Sequence, residues 1–182
     1  MAGRIAVVDE RDRFVRWEQR RVIHEQRLVH RSVHVMLFDS RGRLIVQQRH
    51  RDKQTYPLHW DISCCGHVEE SDYLGGPDEA LDRVYAEVAA RELEEELGVV
   101  TELERLAHFA PIAGVHYEQL RLFRGVSDAA LRLQAEEVEQ AGARSRGELA
   151  AMRADPSVQL TISLEFFLDW LEREEAWPVA HA

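Results

Sequence analysis

One stretch, from Arg91 to Val99, constrains the fold of this 182-residue chain more than any other part of it. Glu92, Glu95 and Glu96 are spaced i, i+3 and i+4, which places them on one face of a helix. Apolar residues of similar period form a second face and predict that the helix packs against a core. Gly98 is a typical C-terminal cap, so the helix is expected to end there.

The three glutamates predict a site for a divalent cation. Carboxylates held this closely repel one another and raise each other's pKa values unless a cation lies among them. Oxygen ligands suit Mg²⁺ or Mn²⁺, whose coordination shells are completed by substrate phosphates and water. The alternative is a solvated acidic helix face, which is the common meaning of such runs of glutamate.

The stretch from Arg91 to Val99 resembles the second half of the Nudix box, Arg-Glu-U-x-Glu-Glu-x-Gly-U, in which U is a bulky aliphatic residue. The first half is present in altered form, with Gly66 at its start and Asp72 where glutamate is usual. Additional residues around Tyr73 to Asp82 lengthen the gap before the helix. The resemblance implies an α/β protein with the Nudix fold, an α/β/α sandwich built on a mixed β-sheet.

The same resemblance assigns roles within the box. It implies that Glu92, Glu95 and Glu96 are metal ligands, with Glu95 or Glu96 also able to accept a proton from the attacking water. It implies that Arg91 orients a carboxylate and that the backbone carbonyl of Gly66 joins the coordination shell. Mg²⁺ is the expected cofactor, with Mn²⁺ as an alternative.

The regions on both sides of the box are similar to the isopentenyl-diphosphate isomerase-like branch of the Nudix superfamily. The similarity rests on the run Ser63-Cys64-Cys65-Gly66-His67 and on histidines upstream of it. In the isomerases, the cysteine before Gly-His is a catalytic acid or base. This implies that role for Cys65, with Glu118 as a second catalytic group in either a hydrolase or an isomerase. The resemblance also implies a second, histidine-rich metal site formed by His24, His30, His67, His116 and Glu118.

Several departures separate this chain from the isomerases. It reads Asp61-Ile62-Ser63 where they read Thr-Asn-Ser, and residues 160–165 lack their Thr-Pro-Trp element. Its Nudix tail is intact, although that tail is often degraded in the isomerases. These features favour a hydrolase acting on a small organic or nucleoside diphosphate. Isomerisation of isopentenyl diphosphate is the alternative, and a non-catalytic sensor of a diphosphate metabolite is a third possibility.

Each candidate residue also has a purely structural interpretation. His30 and His34 alternate with valines on a predicted strand, so both can be ordinary sheet histidines. The adjacent Cys64 and Cys65 are typical of buried free thiols in an intracellular chain. Glu118 follows a tyrosine in a predicted strand and would ordinarily face solvent.

A basic group precedes the acidic box and predicts an anionic ligand. Arg49 and Lys53 occupy the diphosphate-binding positions of the isomerase-like branch, and Arg20 is a weaker candidate further upstream. Arginine grips phosphate oxygens with two donors, and lysine adds a point charge. In a chain of formal net charge −10, such a cluster stands out, although a solvated loop of charge is the alternative.

Length and composition predict one domain, spanning residues 1–182, because 182 residues with 45% hydrophobic content can build one core. No stretch approaches the length of a membrane span, and the N-terminus lacks the apolar region of a signal peptide. We therefore expect a cytoplasmic protein with no membrane partner. The acidic balance argues against a nucleic-acid polymer as partner, and the pattern leaves the oligomeric state open.

Periodicity and turn residues predict the secondary structure. Asp39 to Gly42 predicts a hairpin turn, and Ser145 with Glu148 predicts a capping box. Helices are expected at about 77–97 and 163–175. Strands are expected near Ile5 to Val8, Ser32 to Asp39, Arg43 to Gln48, Leu103 to Pro111 and Tyr117 to Gly125.

Overall fold

The strands of this protein form one mixed sheet in a computed structural model that describes residues 3–178. Nine strands belong to the sheet within these residues. They are β1 (Arg4–Val8), β2 (Phe14–Gln19), β3 (His30–Phe38), β4 (Leu44–Arg49), β5 (Trp60–Asp61), β6 (Cys64–His67), β7 (Leu103–Phe109), β8 (Glu118–Val126) and β9 (Val138–Arg144).

Helices cover both faces of this sheet. The described residues contain a short 3-10 helix at Glu70–Asp72 and four α-helices. The α-helices are α1 (Arg20–Gln26), α2 (Leu81–Leu97), α3 (Arg146–Ala154) and α4 (Ile162–Arg173). None of the described helices combines the length and the apolar character that crossing a membrane requires.

Strand β3 lies at the centre of the sheet, and all nine of its residues are buried. It pairs in parallel with β8 and antiparallel with β6, in registers that oppose His30 to Glu118 and His34 to Cys65. Because successive side chains of a strand point to opposite faces, these four side chains share one face of the sheet. Residues that are distant in sequence therefore meet there.

Two apolar layers separate the helices from the sheet. On one face, α2 packs through residues such as Leu93 against a layer that includes Val35. On the other face, α4 packs through residues such as Phe167 against a layer that includes Leu122. Helices on both faces of a mixed sheet confirm the predicted α/β/α sandwich.

The five predicted strands are confirmed, with ends within two residues of the expected ones. The hairpin turn is confirmed as well, with the amide of Gly42 donating to the carbonyl of Asp39. The capping box opens α3, where Ser145 and Glu148 bond reciprocally. The predicted C-terminal helix is confirmed as α4, which ends at Arg173, two residues early.

The predicted start of the box helix at Pro77 is wrong, because α2 begins at Leu81. Ala80 has a left-handed backbone with φ of 49°, which breaks the helical path. The residues before Ala80 are held instead by hydrogen bonds from Arg31 of β3. The carbonyl of Pro77 accepts a hydrogen bond from Arg31, and the carboxylate of Asp78 accepts another at 2.7 Å.

Six elements were not predicted, namely β2, α1, β5, β6, β9 and the short 3-10 helix. The 7-residue α1 has no side-chain cap at its N-terminus, and β5 has only two residues. Strand β6 has only four residues, and one of them is a glycine, a residue that is depleted in strands. Contacts with elements that are distant in sequence determine these elements, and local sequence patterns do not reveal such contacts.

A buried ion-pair network ties the N-terminal strands to the long segment before α2. Arg31 is fully buried, and its Nε lies 2.7 Å from a carboxylate oxygen of Asp12. Its other nitrogens bond Asp78 at 2.7 Å and the hydroxyl of Tyr73 at 3.2 Å. Asp12 also accepts a bond from the hydroxyl of Tyr85 on α2 at 3.3 Å. The network thus joins β3, the loop between β1 and β2, and the residues inserted before α2.

Candidate active site

The three box glutamates of α2 differ in their surroundings. Glu96 is buried and accepts a hydrogen bond of 2.5 Å from Nε2 of Gln47 on β4. The side chain of Glu92 is 14% exposed, and that of Glu95 is 52% exposed. Two carboxylates therefore face the sheet, and the third lies at the rim in contact with solvent.

Burial changes the protonation of the inner pair. It raises the pKa of Glu92 to about 7 and that of Glu96 to about 8, and the charge of Glu92 adds to the shift of Glu96. Without a cation, Glu96 is mostly protonated at neutral pH and Glu92 is about half protonated. A divalent ion between them would favour the charged forms, so this pair fits Mg²⁺.

Arg91 connects the carboxylates along the helix. Its Nη1 lies 3.1 Å from Glu92 and 3.5 Å from Glu95, and its Nη2 lies 3.2 Å from Asp72. Asp72, which stands where the family pattern has glutamate, also accepts a bond from the amide of Glu69 at 2.8 Å. Arg91 thus restrains Glu92 from one side, and Asp72 caps the short 3-10 helix.

Gly66 is a point of close approach between β6 and α2. A Cβ atom at this position would lie 2.1 Å from Cδ of Glu92 and 2.5 Å from its Oε1. No side chain larger than hydrogen fits without moving that glutamate. The backbone of Gly66 therefore lies beside a candidate metal ligand, as the family resemblance implies.

Replacing Gly66 by alanine should displace Glu92 and reduce kcat/KM by about 100-fold, because misplacement of a ligand by an ångström is enough for a loss of that size. Gly147 on α3 is the matched control, since a Cβ there meets nothing within 4 Å. Activity titrated with Mg²⁺ and thermal melting measure both variants. Equal Mg²⁺ dependence for Gly66→Ala and Gly147→Ala would contradict the assigned role of Gly66.

A second cluster lies on the opposite face of the sheet. His30, His67 and Glu118 each offer a ligand atom, and these atoms lie within 4.8 Å of one another. The rings of His30 and His67 stack with centroids 5.0 Å apart. The ring of His24 on α1 lies 5.0 Å from that of His67 and 5.8 Å from that of His30. Four of the five residues predicted for the histidine-rich site therefore come together.

The histidine rings present lone pairs to this cluster. Nδ1 of His30 lies 2.8 Å from the carbonyl oxygen of Leu28, which only accepts, so Nδ1 carries the proton and Nε2 is free. Within residues 3–178, the buried Nε2 atoms of His30 and His67 have no hydrogen-bond partner. Buried polar atoms are rarely left unpaired, and a metal ion would satisfy both.

The protonation of these rings agrees with metal binding. Burial, aided by the charges of His30 and Arg20, lowers the pKa of His24. Burial also holds the pKa of His67 well below its ordinary value. Neutral imidazoles are the form that coordinates a metal.

Glu118 is the carboxylate of this cluster. Its Oε2 accepts a hydrogen bond of 2.8 Å from Oγ of Ser32 and lies 3.4 Å from Nε2 of His34. Its Oε1 lies 3.7 Å from Nε2 of His30. Burial raises the pKa of Glu118, but the neighbouring histidines, His34 first, outweigh burial and hold that pKa well below its ordinary value. Glu118 is therefore charged at neutral pH.

His116 lies at the edge of the cluster, outside the group of ligand atoms within 4.8 Å. Its Nδ1 accepts a bond of 3.3 Å from the amide of Glu118, so the neutral ring carries its proton on Nε2. A metal would bind Nε2 only after that proton moved. Its role as a ligand stays a prediction that requires the other tautomer.

Cys65 lies opposite His34 across the pair of β3 and β6. Burial and the charge of Asp61 raise the pKa of the Cys65 thiol well above its ordinary value. A thiol that keeps its proton is a poor nucleophile but can donate that proton. Cys64, its neighbour, is fully buried in the apolar layer on the α2 face.

The basic candidates have carboxylate partners within the protein. Nη1 of Arg49 lies 3.2 Å from Asp61, and Lys53 contacts Glu137. Burial and the charge of Arg49 lower the pKa of Lys53. Arg20 is exposed on α1, near enough to His24 to affect its pKa. A phosphate would share these cations with the protein's own carboxylates.

Sequence reasoning missed three residues that contact candidate ligands, namely Ser32, His34 and Gln47. The sequence favours an ordinary sheet histidine at His34 over a metal ligand, and it does not single out the other two. Ser32 and His34 lie two and four residues after His30 on β3, so their side chains share one face of the sheet with His30. This spacing was the available signal. Their partner Glu118 lies on a distant strand, so parity alone does not identify the contact.

Comparisons of the sequence agree with this geometry. The chain matches the family described as NUDIX domain over residues 28–161. It is 40% identical over 139 residues to an uncharacterised Nudix hydrolase of Pseudomonas aeruginosa, covering 75% of each chain. It is also 38% identical over 133 residues to the isopentenyl-diphosphate Delta-isomerase of Streptomyces coelicolor, covering 69% of this chain and 62% of the isomerase.

Solved structures support the fold. A crystal structure of a Deinococcus radiodurans protein has a TM-score of 0.72 at 23% identity, covering 93% of this chain and 98% of that one. The Nudix domain of a Shewanella oneidensis protein, complexed with ADP ribose, has a TM-score of 0.56 at 17% identity, covering 79% and 86%. With most of its length matched by the NUDIX domain and by a relative at 40% identity, the chain belongs to the Nudix family.

Proposed function

We propose that this protein is a Mg²⁺-dependent hydrolase that cleaves the diphosphate linkage of a small organic or nucleoside diphosphate, with residues 1–182 acting as one domain. One observation carries the proposal. Glu96 is buried and Glu92 is largely buried beside Gly66, both have raised pKa values, and Arg91 restrains Glu92. Burying two carboxylates close together costs folding free energy, so the pair is better explained as a cation site than as a stabilising feature.

The chain's residues divide the work of hydrolysis. When bound, Mg²⁺ neutralises diphosphate charge and lowers the pKa of water. Glu92 and Glu96 would hold it in their charged forms. Glu95, which is half exposed, would accept the proton of the attacking water as the bond from phosphorus to its bridging oxygen breaks. Arg49 and Lys53 would orient the phosphate that does not react.

The second candidate is isomerisation of isopentenyl diphosphate, which the cluster on the other face favours. There a protonated Cys65 and a charged Glu118 share one sheet face with the unpartnered nitrogens of His30 and His67. One group would add a proton to the terminal alkene carbon, and the other would remove a proton from the allylic carbon, leaving phosphorus untouched. A metal held by the cluster would supply positive charge beside Glu118.

An NMR experiment in D₂O separates these functions. The protein is incubated with Mg²⁺ and isopentenyl diphosphate while ¹H and ³¹P spectra are recorded, and a panel of nucleoside and other organic diphosphates is run in parallel. We expect phosphate release from a member of the panel without carbon exchange. Deuterium entering dimethylallyl diphosphate with the diphosphate intact would establish the isomerase instead. Tight, metal-dependent binding without turnover across the panel would indicate a sensor.

Cys65→Ala distinguishes the two enzyme functions, because the variant should have very different effects on hydrolysis and on isomerisation. If the protein is a hydrolase, the variant should keep its hydrolytic rate within about twofold, because the thiol lies on the other face from α2. If it is an isomerase, exchange should fall by about 1,000-fold or more, since a general acid contributes 10²–10⁴-fold. Cys64→Ala is the matched control and should alter only thermal stability. Loss of hydrolysis in Cys65→Ala alone would contradict the hydrolase assignment.

A further inference from the structure

The two oxygens of Glu118 have different surroundings. Oε2 accepts a hydrogen bond of 2.8 Å from Ser32 and lies 3.4 Å from Nε2 of His34. Oε1 is left to the histidine cluster and lies 3.7 Å from Nε2 of His30. Both Ser32 and His34 come from β3, the buried central strand, so rigid structure supports one side of the carboxylate.

His34 is unusual for a residue that merely fills the sheet. Its side chain is 6% exposed and its ring packs on Phe167 with centroids 5.3 Å apart. An apolar residue would suit these surroundings, and burying an imidazole is costly unless its nitrogens are used. Among residues 3–178, Glu118 is the carboxylate that lies within 4 Å of this ring. Within residues 3–178, the buried Nδ1 has no hydrogen-bond partner, so Nε2 is the nitrogen through which this ring contacts a polar group.

We propose that His34, together with Ser32, is a positioning residue that holds Oε2 of Glu118 and directs Oε1 alone toward a divalent transition metal bound by His30 and His67. The proposal rests on the histidine-rich cluster invoked for the second candidate function. Groups that hydrogen-bond a metal-ligating carboxylate fix its orientation, and their loss typically weakens metal binding 10–100-fold. Imidazole ligands suit Zn²⁺ or Co²⁺ better than Mg²⁺, which separates this site from the carboxylates of α2.

Titration of the full chain with Co²⁺ tests the proposal, with the visible absorption of the ion as readout. His34→Leu keeps an apolar contact with Phe167 but removes the donor, and should raise the Kd for Co²⁺ by about 10–100-fold. Ser32→Ala should give a smaller loss. The double variant should deviate from the sum of the single losses, because both residues act on one oxygen. His108→Leu, an exposed histidine of β7, is the matched control and should bind as the wild type does.

Amide substitutions keep the test valid if the leucine variant folds poorly. Glutamine places its amide nitrogen near the position of Nε2, whereas asparagine places it near Nδ1. His34→Gln should therefore bind Co²⁺ more tightly than His34→Asn and should recover the wild-type absorption spectrum. Equal affinity of the two amide variants would overturn the positioning role.

The failure of this inference is distinguishable from failure of the site itself. Wild-type binding that His67→Ala abolishes and His34→Leu leaves unchanged would overturn the role of His34 and leave the metal site standing. Co²⁺ binding that His67→Ala leaves unchanged would overturn both. Neither result bears on Mg²⁺-dependent hydrolysis at α2, which is measured separately.

Discussion

Glu96→Gln should remove most Mg²⁺-dependent turnover and yet stabilise the metal-free protein at pH 8. The variant loses a buried charged ligand, and loss of metal stabilisation worth several kcal/mol corresponds to about a 1,000-fold lower rate. The metal-free variant should nevertheless be more stable than the wild type at pH 8, because burial raises the pKa of Glu96 to about 8. The native carboxyl then holds a proton that the unfolded chain releases near pH 4.5.

The pKa of Glu96 is higher in the native state than in the unfolded chain, so the free energy of unfolding depends on pH. Below pH 4.5, Glu96 is protonated in both states and contributes no pH dependence. Between pH 4.5 and about 8, the unfolded chain is favoured by about 1.4 kcal/mol for each pH unit, so the free energy of unfolding falls as pH rises. Glutamine cannot ionise, and the variant should gain on the order of 3 kcal/mol at pH 8, less than the full shift because a buried amide also has a cost.

Urea unfolding of the metal-free protein at pH 5 and pH 8 measures this effect, with Mg²⁺ added in a parallel series. Glu94→Gln, an exposed neighbour on the same helix, is the matched control and should follow the wild type. Added Mg²⁺ should stabilise the wild type more at pH 8 than at pH 5, and should leave Glu96→Gln nearly unaffected. Parallel pH profiles for the wild type and Glu96→Gln would refute the assignment of a buried, metal-dependent carboxylate.

Arg31→Met should destabilise the protein by about 3 kcal/mol, because it removes the better-buried partner of Asp12 and leaves that carboxylate with the longer 3.3 Å contact to Arg121. Arg31 is fully buried and bonds Asp12, Asp78 and the carbonyl of Pro77. Methionine fills much of the volume but satisfies none of these acceptors. The segment before α2 should also lose its attachment to β3.

Denaturant unfolding of Arg31→Met, compared with Arg83→Met, tests this network. Arg83 forms an exposed pair with Glu87 on α2, and its loss should change stability by less than about 1 kcal/mol. Similar unfolding energies for Arg31→Met and Arg83→Met would show that the network does not stabilise the fold.

Local patterns predicted the elements that the helical and strand periods mark clearly. The box helix, its cap at Gly98 and the central strand follow from spacing alone. The start of α2 did not follow, because a strand arginine, Arg31, competes for the backbone and carboxylate of the residues before it. An arginine inside a strand carries no sequence signal of full burial.

The candidate site was predictable in parts for a similar reason. Helical spacing predicts that Glu92 and Glu96 lie near each other, since they are one turn apart. His30 and Glu118 meet only through the parallel register of β3 and β8, which no local pattern encodes, and the family resemblance supplied that contact. The pairing of Lys53 with Glu137 was not foreseen, because a cation's partner across the fold depends on the same tertiary information.

Both candidate metal sites form only if the four residues of β6 pair with β3 in the correct register. Gly66 faces α2 while Cys65 and His67 face the opposite side, and within the sheet of residues 3–178 this strand pairs only with β3. A slip of one residue exchanges the two faces of a strand. It would press a side chain against Glu92 and withdraw His67 from its neighbours at once. Misfolded molecules of this kind would retain most of their secondary structure but have neither metal site, so circular dichroism would overestimate the active fraction of a refolded sample.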